Sequence, residues 1–155
     1  MSIFLGGTGS ANELHDYEEG TFTPRISPHN AMNTIYENGS GAYTKIGNTV
    51  YATISFINKN PNSFGTTATI AIHNLPFTIR HGGNNDSEHI VADAQMMNRV
   101  RFAASEKHYF YTNNNSTYLY GLKSRDGTTW TDWLTGDFNI NNFYIHVHLT
   151  YYTLS

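Results

Sequence analysis

An all-β chain, folded as an antiparallel β-sandwich of jelly-roll-like character, is what three features of the sequence predict. Charged residues make up only 14% of the 155 positions, well under the ~25% usual in soluble domains. The polar surface comes instead from 18 Asn and 19 Thr, set beside 11 Tyr and 9 Phe; Thr and the aromatics suit a pleated, half-buried surface, while Asn and Gly suit turns. Several short segments also alternate apolar and polar residues with period two, separated by turn formers. The length suffices for one domain with a hydrophobic core.

The elements follow in order. Residues 1–12 carry a Gly/Thr/Ser stretch and read as a neck or linker, leaving 13–155 as a single head. In Thr49–Phe56, Val50, Ala52, Ile54 and Phe56 share one face and Tyr51, Thr53 and Ser55 the other, which is a half-buried strand. Asn58–Gly65 is a loop around Pro61. Thr67–His73 alternates again, with Ala68, Ile70 and Ile72 inward, and runs into Asn74-Leu75-Pro76-Phe77. Arg80–Ser87 is a polar Gly/Asn loop. Glu88–Ala104 accommodates either a helix around Asp93–Val100 or two short strands; its β-rich surroundings favour strands. Lys107–Tyr120 splits into two aromatic strands around Thr112–Ser116, and Arg125–Thr128 holds an Asp-Gly turn. Phe143–Tyr152 closes the chain with the strongest alternation: Phe143, Ile145, Val147, Leu149 and Tyr151 against Tyr144, His146, His148, Thr150 and Tyr152.

Charge and composition narrow the function classes. A net charge of −3 with scattered basic residues lacks the basic footprint of a nucleic-acid binder. With no cysteine there is neither a disulfide framework nor thiolate chemistry; oligomerisation is the expected source of extra stability. No apolar run approaches the ~20 residues of a membrane-spanning helix. Met1–Gly7 is short for a signal peptide and lacks a positive n-region, so release by lysis or assembly on a larger particle is expected.

Three segments carry a resemblance. Residues 6–24, GGTGSANELHDYEEGTFTP, are similar to a junction in bacteriophage tail fibres and tailspikes, where a Gly-rich neck leads into an Asn-Glu-Leu-Asp-Asp-Tyr-Glu-Glu-Gly-Thr-(Trp/Phe)-Thr-Pro pattern. Here His15 replaces the first Asp and Phe22 fills the aromatic slot. Gly41–Val50 resembles a Tyr-x-Lys-Ile-Gly-x-x-Val hairpin of the same proteins, and Asn74-Leu75-Pro76-Phe77 their Gly-Leu-Pro-Phe, with Asn for Gly. The three lie in the expected order over the first half of the chain. The resemblance implies a homotrimeric, non-enzymatic, fibre-terminal head on the virion, joined to the rest of the fibre, that contacts a bacterial surface polysaccharide or outer-membrane receptor. The alternative is a structural module that trimerises or ends the fibre, and, since tailspikes often cleave polysaccharide, an enzyme is the third and less expected reading.

Side chains suited to carrying chemistry are few. Glycoside cleavage needs two facing carboxylates, about 5 Å or roughly 6.5–9.5 Å apart; the choices are Glu18, Glu19, Asp132 and Asp137. The acidic group Glu13, Asp16, Glu18 and Glu19 reads as capping or subunit contacts, with a cation site as the alternative. No serine elbow or Cys-based zinc spacing occurs. His146 and His148, two apart on a strand, point to one face; three copies on a trimer axis could surround a metal ion, as the resemblance to some fibre tips implies, while the simpler role is an exposed or inter-subunit face. No other cofactor is expected. Sugars stack their C–H faces on aromatic rings, so Trp130, Trp133, Tyr109, Tyr111, Tyr118 and Tyr120, with Asn113, Asn114, Asn115 and Asp126 as hydrogen-bonding partners, form the expected glycan face. Trp130 and Trp133, three apart, fall on opposite faces of a strand, so only one is expected to be exposed.

Overall fold

Period-two patterning gives strands and Gly, Asn and Pro interrupt them, which is what the computed structural model contains over the residues it describes: 3–4, 13–14, 16–29, 37–59, 67–80, 91–97, 106–112, 115–137 and 143–153. No α-helix occurs among them. A short ladder joins β1 (Ile3–Phe4) to β2 (Glu13–Leu14). The other strands are β3 (Tyr17–Phe22), β4 (Arg25–Pro28), β5 (Glu37–Asn38), β6 (Ser40–Ile46), β7 (Thr49–Lys59), β8 (Ile70–His73), β9 (Val91–Met97), β10 (Glu106–Thr112), β11 (Tyr118–Arg125), β12 (Thr131–Asp132) and β13 (Phe143–Tyr152). They form one antiparallel path, β3–β6–β7–β13–β9–β10–β11–β8–β4–β5, with β12 also on β11.

The path doubles back at β9. Asp93–Met97 pair with β13, and Val91 and Ala92 pair with β10. Layer one is therefore β3–β6–β7–β13 and layer two β10–β11–β8–β4–β5, packed as a sandwich with their apolar faces together. Along the other edge the chain changes layer twice, at Thr23-Pro24 and at Gly39, where the Gly39 N–H donates to the Pro24 carbonyl at 2.8 Å. A Cβ on Gly39 would stand 2.7 Å from both the Phe56 ring and the Ser55 carbonyl, so this crossing requires glycine.

Alternation positions the core. Val50, Ala52, Ile54 and Phe56 of β7 and Phe143, Ile145, Val147, Leu149 and Tyr151 of β13 face Ile26, Ile70, Ile72, Phe110, Leu119 and Trp133 of layer two, all buried. Each Val, Leu, Ile and Phe among them contributes on the order of 1.5–3 kcal/mol by leaving water. The other face of β13 leaves His148, Thr150 and Tyr152 exposed and Tyr144 and His146 half-buried.

Two segments differ from simple alternation. In β8 all four residues are buried, although only Ile70 and Ile72 face the core. Ala71 and His73 point outward beneath Tyr120 and Tyr118 of β11, their register partners, so a second layer of rings covers what would otherwise be a polar face. In 88–104 the described residues, 91–97, form a strand (β9) and not a helix; 88–90 and 98–104, where a second strand would fall, lie outside the described residues.

The three segments that carry the resemblance meet in one place. β3 pairs with β6, and β6 with β7. Tyr43 of β6 covers Gly20 of β3, where a Cβ would lie 2.8 Å from the Tyr43 Oη, and Phe22 covers Gly41. The Tyr43 hydroxyl donates to Glu18 at 2.6 Å. Asn74, in the left-handed region at φ 71°, donates its side-chain amide to the Thr23 carbonyl at 2.7 Å, and Phe77 meets Tyr43 edge to face at 5.2 Å. These contacts are architectural.

Candidate functional site

The outer face of layer two gathers the aromatic side chains of the chain's second half. Register sets this: Tyr109 stands opposite Leu122, and Tyr111 opposite Tyr120, while Phe110, between the two tyrosines, and Leu119, between Tyr118 and Tyr120, are buried in the core. Paired residues of an antiparallel ladder share a face, so Tyr109, Tyr111, Tyr118, Tyr120, Leu122 and Ser124 all point away from the sandwich. β12 extends this surface, since Asp132 pairs with Leu122. Trp130, two residues earlier, lies on the same side.

Rings on this face form a continuous ribbon. Starting from β8, His73 meets Tyr118 at 5.5 Å, and Tyr118 meets His29 at 5.2 Å. His29 meets Tyr120 at 5.5 Å, Tyr120 meets Tyr111 at 5.0 Å, and Tyr111 meets Trp130 at 5.7 Å. The last two contacts are edge to face, the favoured arrangement of ring quadrupoles. The ribbon is covered at its His73 end and open at its Trp130 end, where Trp130 is 58% exposed. There Tyr109, Tyr111, Leu122, Ser124, Thr128 and Trp130 line a depression of about 400 Å³. Thr128 is placed by the Asp-Gly turn: Gly127 takes φ 77° and the Thr128 N–H donates to the Arg125 carbonyl at 3.0 Å.

No Asp, Glu, Lys or Arg belongs to the ribbon. Burial, with Tyr111, Tyr118 and Asp132 nearby, pushes the Tyr120 phenol up to about 12. Burial lowers the pKa of His73, against the opposing pull of the Pro28 carbonyl. On the ladder's other face the charges are paired among themselves, Arg125 with Glu106 at 3.0 Å and Lys123 with Asp137 at 2.8 Å.

Of the residues read from sequence, Trp130, Tyr109, Tyr111, Tyr118 and Tyr120 come together here. Trp133 does not: it is fully buried, packed on Phe110 at 5.2 Å and His108 at 5.1 Å, so it supports the face from within and meets no ligand. Asp126 is exposed on the turn but does not line the depression. Asn115, at φ 57°, sits at the other end of the β10–β11 ladder, its N–H donating to the Ile79 carbonyl at 3.1 Å; Asn113 and Asn114 lie outside the described residues. Sequence reasoning missed His29, Leu122, Ser124 and Thr128. Ser124 and Leu122 share Tyr120's parity on β11 and were recoverable from it, whereas His29 comes from a distant segment through the β4–β8 pairing.

The remaining groupings separate. Glu18 and Glu19, adjacent on β3, point to opposite faces, Glu18 accepting from Tyr43 and Glu19 from Tyr17 at 2.7 Å; alternation thus rules out their converging on one cation with Asp16. Asp132 accepts from Thr69 at 2.6 Å and Asp137 from Lys123, so each of the four carboxylates read as catalytic choices has a hydrogen-bonding partner. His146 and His148 do share the outer face of layer one; His146 Nδ1 lies 2.9 Å from the Ser55 hydroxyl and His148 is exposed. Among the described residues no three His, Asp or Glu side chains gather as a metal site. Compared with protein-family models, curated proteins and solved structures, the chain has no match.

Proposed function

We propose that this chain is the receptor-binding head of a bacteriophage tail fibre or tailspike, which holds a bacterial surface glycan on the outer face of layer two without cleaving it. The observation that carries this reading is the convergence of Tyr109, Tyr111, Tyr118, Tyr120 and Trp130 on one face, open to solvent at a sugar-sized depression. Tyr and Trp supply rigid contact area at low entropic cost, and pockets of this size class hold small ligands. The resemblance of residues 6–24, 41–50 and 74–77 supplies the fibre context, and their packing into one framework fits a head mounted on a neck.

The homotrimer belongs to the same proposal. The outer face of layer one exposes Tyr17, Ile46, Tyr51, Ile57 and Tyr152, with Glu19 hydrogen-bonded to Tyr17 and the Arg80 guanidinium over the Tyr152 ring; this band of exposed apolar side chains suits contact between copies. That surface also favours a second reading, a module that trimerises or ends the fibre without touching receptor. A host-cell pull-down and glycan array with wild type and Trp130→Ala separate the two. Binding by wild type that the variant loses supports the head. No binding across susceptible strains, with a trimer by light scattering, supports the module. Oligosaccharide released from purified capsule would replace both with an enzyme.

A further inference from the structure

The depression itself constrains which sugar it takes. Its walls are Tyr109, Tyr111 and Trp130, its floor is Leu122, and its polar groups are the hydroxyls of Ser124 and Thr128 beside the phenols. Leu122 is only 7% exposed yet faces outward, opposite Tyr109, so a ligand entering between the rings meets an apolar end. A sugar hydroxyl driven there would lose its water without a partner, which is unfavourable. A methyl group would not.

Charge restricts the class further. Asp132 pairs with Leu122 and therefore stands on this same outer face, exposed, with its carboxylate held toward Thr69. The nearest basic groups of β11, Lys123 and Arg125, are paired with Asp137 and Glu106. Lys107 shares the outer face, opposite Ser124, but stands beyond Tyr109 and outside the lining. Neither Asp132 nor Lys107 lines the depression, so an anionic sugar would find no basic partner within it.

We propose that this depression takes a neutral, methyl-bearing sugar, a 6-deoxyhexose or an N-acetylhexosamine, with the methyl against Leu122 and the C–H face on Trp130 and Tyr111. This rests on the glycan-binding reading above and names its ligand class. Both present a methyl group, the C6 methyl of the deoxyhexose or the acetyl methyl of the amino sugar, and they are separable by probe.

The test is a tryptophan-fluorescence titration of the full chain with L-rhamnose against L-mannose, N-acetylglucosamine against N-formylglucosamine, and glucuronate against glucose as the anionic pair. Trp130 is exposed and Trp133 buried, so a ligand-dependent change reports the former, and Trp130→Ala must abolish it. One methyl in an apolar pocket discriminates roughly 10- to 200-fold. The methyl-bearing member of at least one methyl pair should bind ~10-fold or more tightly than its counterpart, and glucuronate more weakly than glucose. Which methyl pair discriminates identifies the source of the methyl. Equal affinity within both methyl pairs, tighter binding of glucuronate, or no saturable response to either methyl sugar overturns the proposal. If host-cell binding nevertheless falls in Trp130→Ala, the glycan face stands and only the ligand class is wrong; if host-cell binding is unchanged, the glycan-binding reading fails with it.

Discussion

Trp130 and Trp133 stand three residues apart yet the structure gives them opposite jobs, and truncating each to alanine tests that division. Trp133 is fully buried; its ring packs on Phe110 and His108, its N–H donates to the Gly121 carbonyl at 2.9 Å and its carbonyl accepts from Ile70. The backbone bonds survive truncation, but the ring's contacts vanish and a cavity opens between β10 and β8. Truncating a buried tryptophan costs ~3–5 kcal/mol, a large share of the ~5–15 kcal/mol that stabilises a domain. At ~2–4 °C per kcal/mol for a chain of this size, Trp133→Ala should melt about 6–20 °C lower. Trp130→Ala removes a ring that is 58% exposed, and such surface changes stay within about 0.5 kcal/mol, or ~2 °C or less. Thermal unfolding by circular dichroism at one fixed protein concentration measures both, since self-association would make the melting point concentration-dependent. A Trp133→Ala protein melting within ~2 °C of wild type, or a larger loss in Trp130→Ala than in Trp133→Ala, would refute the assignment.

Three other perturbations probe the framework. Gly121→Ala would place a Cβ 2.6 Å from Ile70 Cγ2 and 2.8 Å from the Trp133 ring; overpacking of this kind costs ~1–3 kcal/mol, and urea unfolding should show a lower midpoint with an unchanged slope. Asn74 holds a left-handed backbone and a hydrogen bond to Thr23, so Asn74→Ala should cost more than Asn74→Gly, which keeps the backbone free, by ~1 kcal/mol in the same assay. Burial lowers the His108 pKa from 6.5 to about 4, against the pull of Glu106 and Asp137. Above pH 6.5 His108 is neutral folded and unfolded and adds no pH dependence; as pH falls from 6.5 toward 4 the unfolded chain binds the proton first and stability drops, by about 1.4 kcal/mol per unit. Melting curves across that window should be flatter for His108→Phe than for wild type, and parallel curves would show that His108 is not held neutral.

The strands of this fold were legible wherever one face is core and the other water. β7 and β13 meet that condition, and their inward residues are those that alternation names. β8 did not meet it: Ala71 and His73 are buried by Tyr118, Tyr120 and His29, rings brought over them by pairings with β11 and β4 that no local period encodes. The site divides similarly. Tyr109, Tyr111, Tyr118 and Tyr120 could be grouped from parity within two adjacent strands joined by a turn. Trp133 was placed among the ligand-binding residues because sequence shows that one of two tryptophans faces inward but not which one; that depends on β12 lying against β11 with Asp132, not Trp133, on the outer side. In the acidic group that includes Glu18 and Glu19, the alternation of β3 turns these two carboxylates to opposite faces, so the pair does not share one site.

The segments that carry the family resemblance and the face proposed to recognise a host occupy different parts of the sandwich, and this should have a thermodynamic signature. Gly20, Phe22, Gly41, Tyr43, Asn74 and Phe77 hold one another at the edge of layer one and its corner with layer two. The ribbon from Tyr118 to Trp130 lies on the outer face of layer two, over strands whose inward residues already fix the backbone. Gly20→Ala forces a Cβ to within 2.8 Å of the Tyr43 Oη and should destabilise by ~1–3 kcal/mol, without changing the glycan affinity of the folded protein. Trp130→Ala should do the reverse. The two sites share none of the contacts described above, so in the double variant their stability effects should add to within about 0.5 kcal/mol. A coupling well above that, read from urea unfolding of the four proteins of the cycle, would mean that framework and face are one cooperative unit. Additivity would mean that the rings on this face can be exchanged without disturbing the framework that packs around Tyr43.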